Sequence, residues 1–294
     1  MISSEISKEV LGRLTSLGFQ RSDKPSSYSM ANSFKKALVS SIVDIDVQVI
    51  NSSRLEVTMP MSDYLNAILT DFHFGKVRVE NQIKHLTEQV NGDLQAAWCV
   101  VTTYYACYFM CNEISRIAGK FITNLTEEDQ TRLLSAAQAG TSSMFNIDGP
   151  SSFAVMASQG NNFNEIKLDI IKTGARPHQV AWTNVSSLIN PIKVSDKHNT
   201  ACQLLKDIVS SSNDRWALPS AIRNEWNYSA PSLYGDSGTD IGKNFLSLMK
   251  QGSSVKWASK IGIQPHENNR VAALAYVYDC LSGAYQLIDG RLNS

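Results

Sequence analysis

The feature that most constrains the fold is a long uncharged segment in the first half of the chain. No charged residue occurs from Leu94 to Asn112 in "DLQAAWCVVTTYYACYFMCNEISRIAG", which is close to the roughly 20 residues that span a bilayer. The segment also contains Gln95, two threonines and several tyrosines, and it has neither a second apolar span nor a basic flank. We therefore predict one long helix, from about Asp93 to Gly119, that is buried in the protein and does not cross a membrane.

A second long helix is predicted in the last part of the sequence. Helical spacing continues through "ENNRVAALAYVYDCLSGAYQLIDGRL" at Val271, Leu274, Tyr278, Leu281, Tyr285 and Ile288. A shorter amphipathic helix is predicted over residues 4–17, with Ser4 as its cap and Gly18 as its stop. Further helices are predicted at about 127–139, 162–173, 178–189, 198–211 and 241–251.

A change of period marks strands in the first 80 residues. In "SIVDIDVQVI" apolar residues alternate with polar ones, and "NSSR" then turns the chain into "LEVTMP". This pattern predicts a β-hairpin, and "FHFGKVRV" around Gly75 is interpreted as another short pair of strands. The predicted fold is mainly α, with residues 1–80 as a small α+β module and residues 81–294 as a helical bundle with inserted short helices.

Charge and cysteine content limit the environment and the partners. Lys and Arg number 27, as do Asp and Glu, so the chain has no net field that would attract nucleic acid or an acidic membrane. The five cysteines are odd in number and lie in apolar helical contexts, and "MISSEISKEV" does not follow the plan of a signal peptide. These features predict buried free thiols and a cytoplasmic location.

The search for catalytic and metal-binding patterns gives little. Asp44, Asp46 and Glu56 could gather on one hairpin face as magnesium ligands, but no lysine stands beside the glutamate and a solvated strand face is favoured. The five histidines are scattered, and no phosphate-binding glycine loop, dinucleotide fingerprint or G-x-S-x-G motif occurs. No metal and no cofactor are therefore expected.

Three segments resemble, in this order, parts of HEPN-domain proteins. "AAWCVVTTYYACYFMCNEISRIAG", which contains Tyr105, resembles their aromatic helix. "GARPHQVAWTNV", with His178 and Trp182, is similar to a His-then-Trp helix start of larger relatives, and "LPSAIRNEWNYSAPSLYG" resembles their Arg-polar segment. The resemblance covers about half of the chain, in pieces, and implies a HEPN-like helical bundle.

In active HEPN ribonucleases the resemblance implies an arginine, a polar residue and, a few residues later, a histidine. Arg223 and Asn224 match the first two positions, but Tyr228 stands closest to the place of the histidine. A phenol with an ordinary pKa of about 10 is a poor acid or base near neutral pH. Catalysis is therefore not expected, and the alternative is a metal-independent ribonuclease or toxin that uses Arg223, Asn224 and His178.

A structural role is the other interpretation of the same segment. Arg223 would then bond carbonyl groups or a carboxylate such as Glu225 or Asp236. Trp226 and Tyr228 would anchor the turn by burial. Trp182 and Tyr105 are expected to be binding or anchoring residues as well.

The resemblance implies a non-catalytic accessory or scaffolding subunit of a multi-protein prokaryotic complex for antiviral or anti-plasmid defence. One form of this hypothesis is a subunit that bridges an SMC-like ATPase and a nuclease. Its partners would be other protein subunits, and nucleic acid would be bound only through the complex. A small-ligand sensor with an aromatic pocket is a third hypothesis.

Overall fold

The computed structural model describes residues 1–20, 24–40, 42–92, 96–138, 140–174, 177–210, 215–229, 236–251 and 253–293. The helices are α1 (Ile2–Ser16), α2 (Phe34–Val39), α3 (Met61–Asn91), α4 (Ala96–Ile117), α5 (Glu127–Ser135), α6 (Pro177–Ile189), α7 (Asp196–Val209), α8 (Pro219–Asn224), α9 (Asp236–Gln251), α10 (Ser254–Ala258) and α11 (Glu267–Asn293). The strands are β1 (Asp46–Asn51), β2 (Arg54–Pro60), β3 (Lys120–Leu125), β4 (Ser151–Gln159) and β5 (Glu165–Lys172). Helices account for most of the described residues, so the mainly helical class is confirmed.

The five strands form one antiparallel sheet in the order β1-β2-β5-β4-β3. The predicted hairpin is its β1–β2 pair, whereas β3, β4 and β5 were not predicted. Strand alternation gives the sheet two chemically different faces. One row across the buried face consists of Val49, Leu55, Ile170, Val155 and Phe121, and the neighbouring row on the opposite face consists of Gln48, Glu56, Asp169, Met156 and Lys120.

Two of the predicted elements are wrong. The helix predicted over residues 162–173 is strand β5, in which Ile166, Leu168 and Ile170 are buried at a period of two. The strand pair predicted around Gly75 lies inside α3. Gly75 permits a close approach there, since a Cβ atom at this position would crowd the carboxyl group of Glu113.

The chain divides into two compact units. The sheet unit contains residues 10–76 and 112–181, and the helical unit contains residues 1–9, 77–111 and 182–294. All five strands belong to the sheet unit, which therefore takes strands from both sides of residue 80, the boundary predicted from the sequence.

The core of the sheet unit includes an aromatic cluster against the buried face of the sheet. The ring of Phe34 in α2 meets that of Phe121 in β3 edge-on at 4.7 Å between centroids. It also meets the ring of Tyr64 in α3 at 6.4 Å. Such edge-to-face pairs stabilise a core beyond the burial of their area.

The core of the helical unit surrounds α11. Residues 271–277 are all buried, as in a helix that is covered on every side. By length and composition the stretch Asn268–Asn293 could cross a membrane, but 67% of its apolar window is buried inside the protein. The core helix of a soluble protein gives the same pattern, so this one helix is weak support for a membrane span.

All five cysteines are buried and free, as predicted. Burial raises the pKa of the Cys280 thiol to about 12 and raises the pKa values of Cys107 and Cys111 as well. A thiol that stays protonated is a poor nucleophile and a poor metal ligand. The cysteines therefore act as small apolar side chains of the core.

Candidate functional site

The candidate site is centred on Arg223, near the end of a short helix. α8 follows Leu218 and has Pro219 at its first position, where the missing N–H of proline costs no hydrogen bond. After Asn224 the backbone continues as a π-helical turn over Glu225–Ser229. π-Helical turns are rare, and they are frequent at functional sites because they change the direction of the side chains that follow.

The guanidinium group of Arg223 lies among three tyrosine rings. Its Cζ atom is 5.3 Å from the ring centroid of Tyr104, 5.7 Å from that of Tyr105 and 5.9 Å from that of Tyr228. These distances allow a cation–π interaction with each ring. The Nε atom of Arg223 is buried and has no hydrogen-bond partner among the described residues.

The three tyrosines differ in exposure. Tyr104 is buried and lies 5.4 Å from Tyr105 and 6.3 Å from Trp182 between ring centroids, whereas Tyr228 is 72% exposed. Burial raises the pKa of the Tyr104 phenol, and the Trp182 indole and the charge of Arg223 offset a part of that rise. Tyr104 is therefore a neutral phenol at physiological pH and cannot act as a base.

Tyr105, one of the rings next to Arg223, belongs to a larger aromatic face of α4. Trp98, Tyr105 and Phe109 are seven and four residues apart, so they lie on one face of the helix. Trp98 is 54% exposed, and the guanidinium group of Arg78 lies 4.5 Å from the Phe109 ring centroid. We use the term aromatic surface for Arg78, Trp98, Tyr105, Phe109, Arg223 and Tyr228.

The structural role predicted for the Arg223 segment is correct in part. Trp182 and Trp226 are buried, as expected of anchoring residues. The burial predicted for Tyr228 is wrong, because its exposed ring lies near Arg223 instead.

The predicted pairing of Arg223 with Glu225 is also wrong. The Oε2 atom of Glu225 lies 3.7 Å from Nη1 of Arg270. The side chain of Asp236, the other proposed partner, and residues 230–235 lie outside the described part of the structure.

The residues of the alternative ribonuclease hypothesis lie in different units. Asn224 is the exposed last residue of α8 and belongs, like Arg223, to the helical unit. His178 is the half-buried second residue of α6 and belongs to the sheet unit. The ring centroids of Tyr104, Tyr105 and Tyr228 all lie within 6 Å of the Cζ atom of Arg223.

Sequence reasoning did not identify Tyr104 and Arg78 as parts of the site. Tyr104 precedes Tyr105 and therefore points about 100° away from it around the helix, so helical spacing does not place the two rings on one face. Arg78 lies in the segment that was misread as strands, and only the helical assignment of α3 brings it to a helix face. The sequence pattern that could have predicted α3 is the helical spacing of Leu65, Phe72, Val79 and Leu86.

The carboxylates considered as metal ligands do not form a metal centre. Asp44 and Asp46 are exposed, and Glu56 forms an ion pair with Lys167 at 2.6 Å. Across the part of the chain that the structure describes, no three His, Cys, Asp or Glu side chains lie close enough together to hold a metal ion.

Comparison with known proteins gives no match of this chain to a family model, to a curated protein or to a solved structure. The resemblance to HEPN domains therefore stays a prediction from the sequence.

Proposed function

We propose that the chain is a non-catalytic accessory subunit that binds a partner protein through the aromatic surface. The observation that carries this proposal is the exposure of Trp98 and Tyr228 in the same unit as two arginines stacked on aromatic rings. Trp, Tyr, Phe and Arg are enriched in the buried centres of protein interfaces. Trp, Tyr and Arg also contribute most of the binding energy in many complexes.

The charge of the aromatic surface indicates the chemistry of the partner. Arg78 and Arg223 bring two positive charges to a region whose other members are uncharged rings. A partner with apolar side chains next to carboxylates would complement both features. The chain has no net charge, so long-range repulsion would not keep such a partner away.

The geometry around Arg223 favours binding over catalysis. A ribonuclease needs groups that gain and lose a proton near neutral pH. The three rings next to Arg223 are phenols, whose ordinary pKa is about 10, and burial raises the pKa of Tyr104 further. No specific observation favours the ribonuclease alternative.

The finer parts of the proposal rest on the sequence resemblance. They are a HEPN-like bundle and a place in a prokaryotic antiviral or anti-plasmid complex, for example between an SMC-like ATPase and a nuclease. Nucleic acid would then be contacted through the other subunits. A cytoplasmic location is supported by the five free, buried cysteines, which a reducing compartment preserves.

Co-purification from native cells tests the proposal. We expect the tagged wild-type chain to retain a partner protein and the Trp98→Ala/Tyr228→Ala variant to lose it. Phe163→Ala is the matched control, because it removes another strongly exposed aromatic ring outside the aromatic surface. Circular dichroism should show that all three proteins are folded. Equal retention of the partner by the double variant and by the control would reject the aromatic surface as the binding site, and recovery of the chain alone would reject the subunit role.

A further inference from the structure

Strand β3 is the last strand at one edge of the sheet, where β4 is its neighbour on the inner side. The opposite edge strand, β1, is partly covered, because the carbonyl group of Val47 accepts a hydrogen bond from the N–H group of Gln138 at 3.3 Å. An uncovered edge presents a row of backbone donors and acceptors to which another strand can pair. Whether β3 is such an edge depends on the direction of its backbone groups.

The hydrogen bonds between β3 and β4 determine which backbone groups of β3 point outward. The N–H group of Ala157 donates to the carbonyl group of Gly119 at 2.8 Å. In an antiparallel pair every second residue bonds to the neighbouring strand, so the register directs the N–H and C=O groups of Ile122 and Asn124 away from β4. Among the described residues, these outward groups have no hydrogen-bond partner. The edge of β3 is therefore available for pairing.

The side chain of Ile122 ends an apolar row on the face of the sheet that lies opposite the buried face. Ile122 stands opposite Ala154 in β4, and Ala154 stands opposite Ile171 in β5. Ile171 is 38% exposed and Ile122 is half-buried, so solvent reaches this row. The row stops at Ile122 because the sheet ends there. A strand that adds to β3 would continue the row if it placed an apolar side chain opposite Ile122.

We propose that β3 pairs antiparallel with β3 of a second copy of this chain, so that the two sheets join into one. A two-fold axis beside Ile122 places this residue directly opposite the same residue of the second copy. The outward backbone groups of the two Ile122 residues then bond to each other, and the apolar rows of the two sheets become continuous across the axis. The hydrophobic pattern of a sheet selects its register in this way. Two-fold dimers are also the commonest oligomers of soluble proteins.

The charges at the two ends of β3 favour a second copy as the partner. β3 begins at the cationic Lys120 and leads into the first turn of α5, which contains Glu127, Glu128 and Asp129. In the two-fold pair, the cationic start of each strand lies beside the acidic end of the other, and Lys120 stands opposite the uncharged Asn124 of the second copy. Symmetry therefore supplies the complementary charges. This interface belongs to the sheet unit and goes beyond the proposed function, whose aromatic surface belongs to the helical unit.

Sedimentation velocity of the full chain over a dilution series tests this assignment. We expect a monomer–dimer equilibrium for the wild type and for Trp98→Ala/Tyr228→Ala, which leaves β3 unchanged. Ile122→Lys should stay monomeric over the same series, because it places two like charges opposite each other at the axis. The matched control is Ile50→Lys, since Ile50 is an exposed isoleucine of β1 at the other edge of the sheet. This control should dimerise like the wild type.

Oxidative cross-linking tests the register of the two strands. The Cα atoms of a hydrogen-bonded antiparallel pair are about 5.5 Å apart, which lies in the range that a disulfide bridges. All five native cysteines are buried, so treatment with diamide should give a covalent dimer of Ile122→Cys and none of the control Ile50→Cys.

A wild type that is monomeric at every concentration would overturn the proposal. So would dimerisation of Ile122→Lys as strong as that of Ile50→Lys, or a dimer that only Trp98→Ala/Tyr228→Ala abolishes, which would place self-association at the aromatic surface. If Ile122→Lys does not fold, the lack of a covalent dimer of Ile122→Cys has the same consequence.

Discussion

Arg116 in the sheet unit and Arg223 in the helical unit are both half-buried and both lie near aromatic rings, but different groups balance their charges. Arg116 pairs with Asp71 at 2.9 Å and with Glu113 at 3.2 Å, and its Cζ atom lies 5.2 Å from the ring centroid of Phe121. Arg223 has three tyrosine rings around it and no carboxylate partner among the described residues. Ring faces compensate a cation less strongly than carboxylates do. Among the described residues, the charge of Arg223 is therefore less fully compensated than that of Arg116.

Two half-buried aspartates, Asp71 in the sheet unit and Asp279 in the helical unit, repeat this difference. Burial raises the pKa of Asp71, while the charge of Arg116 and the backbone N–H of Phe34 lower it again in part. Burial also raises the pKa of Asp279 in the helical unit, where the opposing contribution comes from the Ser254 hydroxyl. In the sheet unit, Arg116 and Asp71 thus compensate each other's charges. In the helical unit, aromatic rings lie around Arg223 and a hydroxyl group donates to Asp279.

Of three substitutions, Arg116→Ala is expected to lower the free energy of unfolding most. This change leaves Asp71 and Glu113 without their cation in a buried place, and the free energy of unfolding should fall by about 3 kcal/mol or more. Urea denaturation followed by circular dichroism measures the loss. The control is Arg132→Ala, which removes an exposed i,i+4 pair with Glu128 and should cost about 0.5 kcal/mol or less. Equal losses of unfolding free energy in the two variants would show that the ion pairs of Arg116 stabilise the fold no more than an exposed pair does.

A smaller effect is expected for Arg223→Ala. The loss of the ring contacts should lower the free energy of unfolding by about 1 kcal/mol, which is clearly less than the effect of Arg116→Ala. Arg223→Lys should fall between the wild type and Arg223→Ala, because it keeps the charge but not the planar group. The same proteins should show no cleavage of RNA in the absence of metal. Cleavage by the wild type that Arg223→Ala abolishes, without a change in the urea midpoint, would instead establish the ribonuclease alternative.

Asp279→Asn is expected to change the free energy of unfolding least, and the size of this change depends on pH. Because the folded-state pKa of Asp279 is raised, protonated Asp279 stabilises the fold below the ordinary pKa of 3.8, and this stabilisation is lost as the pH rises through the folded-state pKa. The asparagine variant does not titrate there. Its unfolding free energy relative to the wild type should therefore increase as the pH is raised from about 4 to about 7. A series of urea denaturations across this range measures the trend, and a constant difference would contradict it.

The elements that could be predicted from the sequence are those whose signal lies within one segment. α4 and α11 carry helical spacing over many turns, and the β1–β2 hairpin joins two alternating runs through a short turn. β5 was missed although it carries such a signal, because Ile166, Leu168 and Ile170 alternate with Lys167 and Asp169 in "EIKLDIIK". Gly75 was interpreted as part of a turn between two strands, but it lies inside α3, where it permits the close approach of Glu113.

The candidate site was predictable in its residue types but not in its geometry. Arg223, Tyr105 and Tyr228 could be selected because of their chemistry, whereas the approach of Arg223 to Tyr104 follows from the packing of segments that are far apart in the chain. The π-helical turn after Asn224 has no recognisable sequence pattern.

The strand order of the sheet also determines the sequence of events during synthesis. β1 and β2 can pair as soon as their hairpin leaves the ribosome, and β4 and β5 can pair across a short connection. The pairing of β2 with β5 joins these two hairpins, and one contact across it, between Arg54 and Asp169, links residues 115 positions apart. Closing so long a loop is slow compared with forming a hairpin. Until β5 has been translated, one edge of β2 therefore lacks its native neighbour and is open to pairing with other chains.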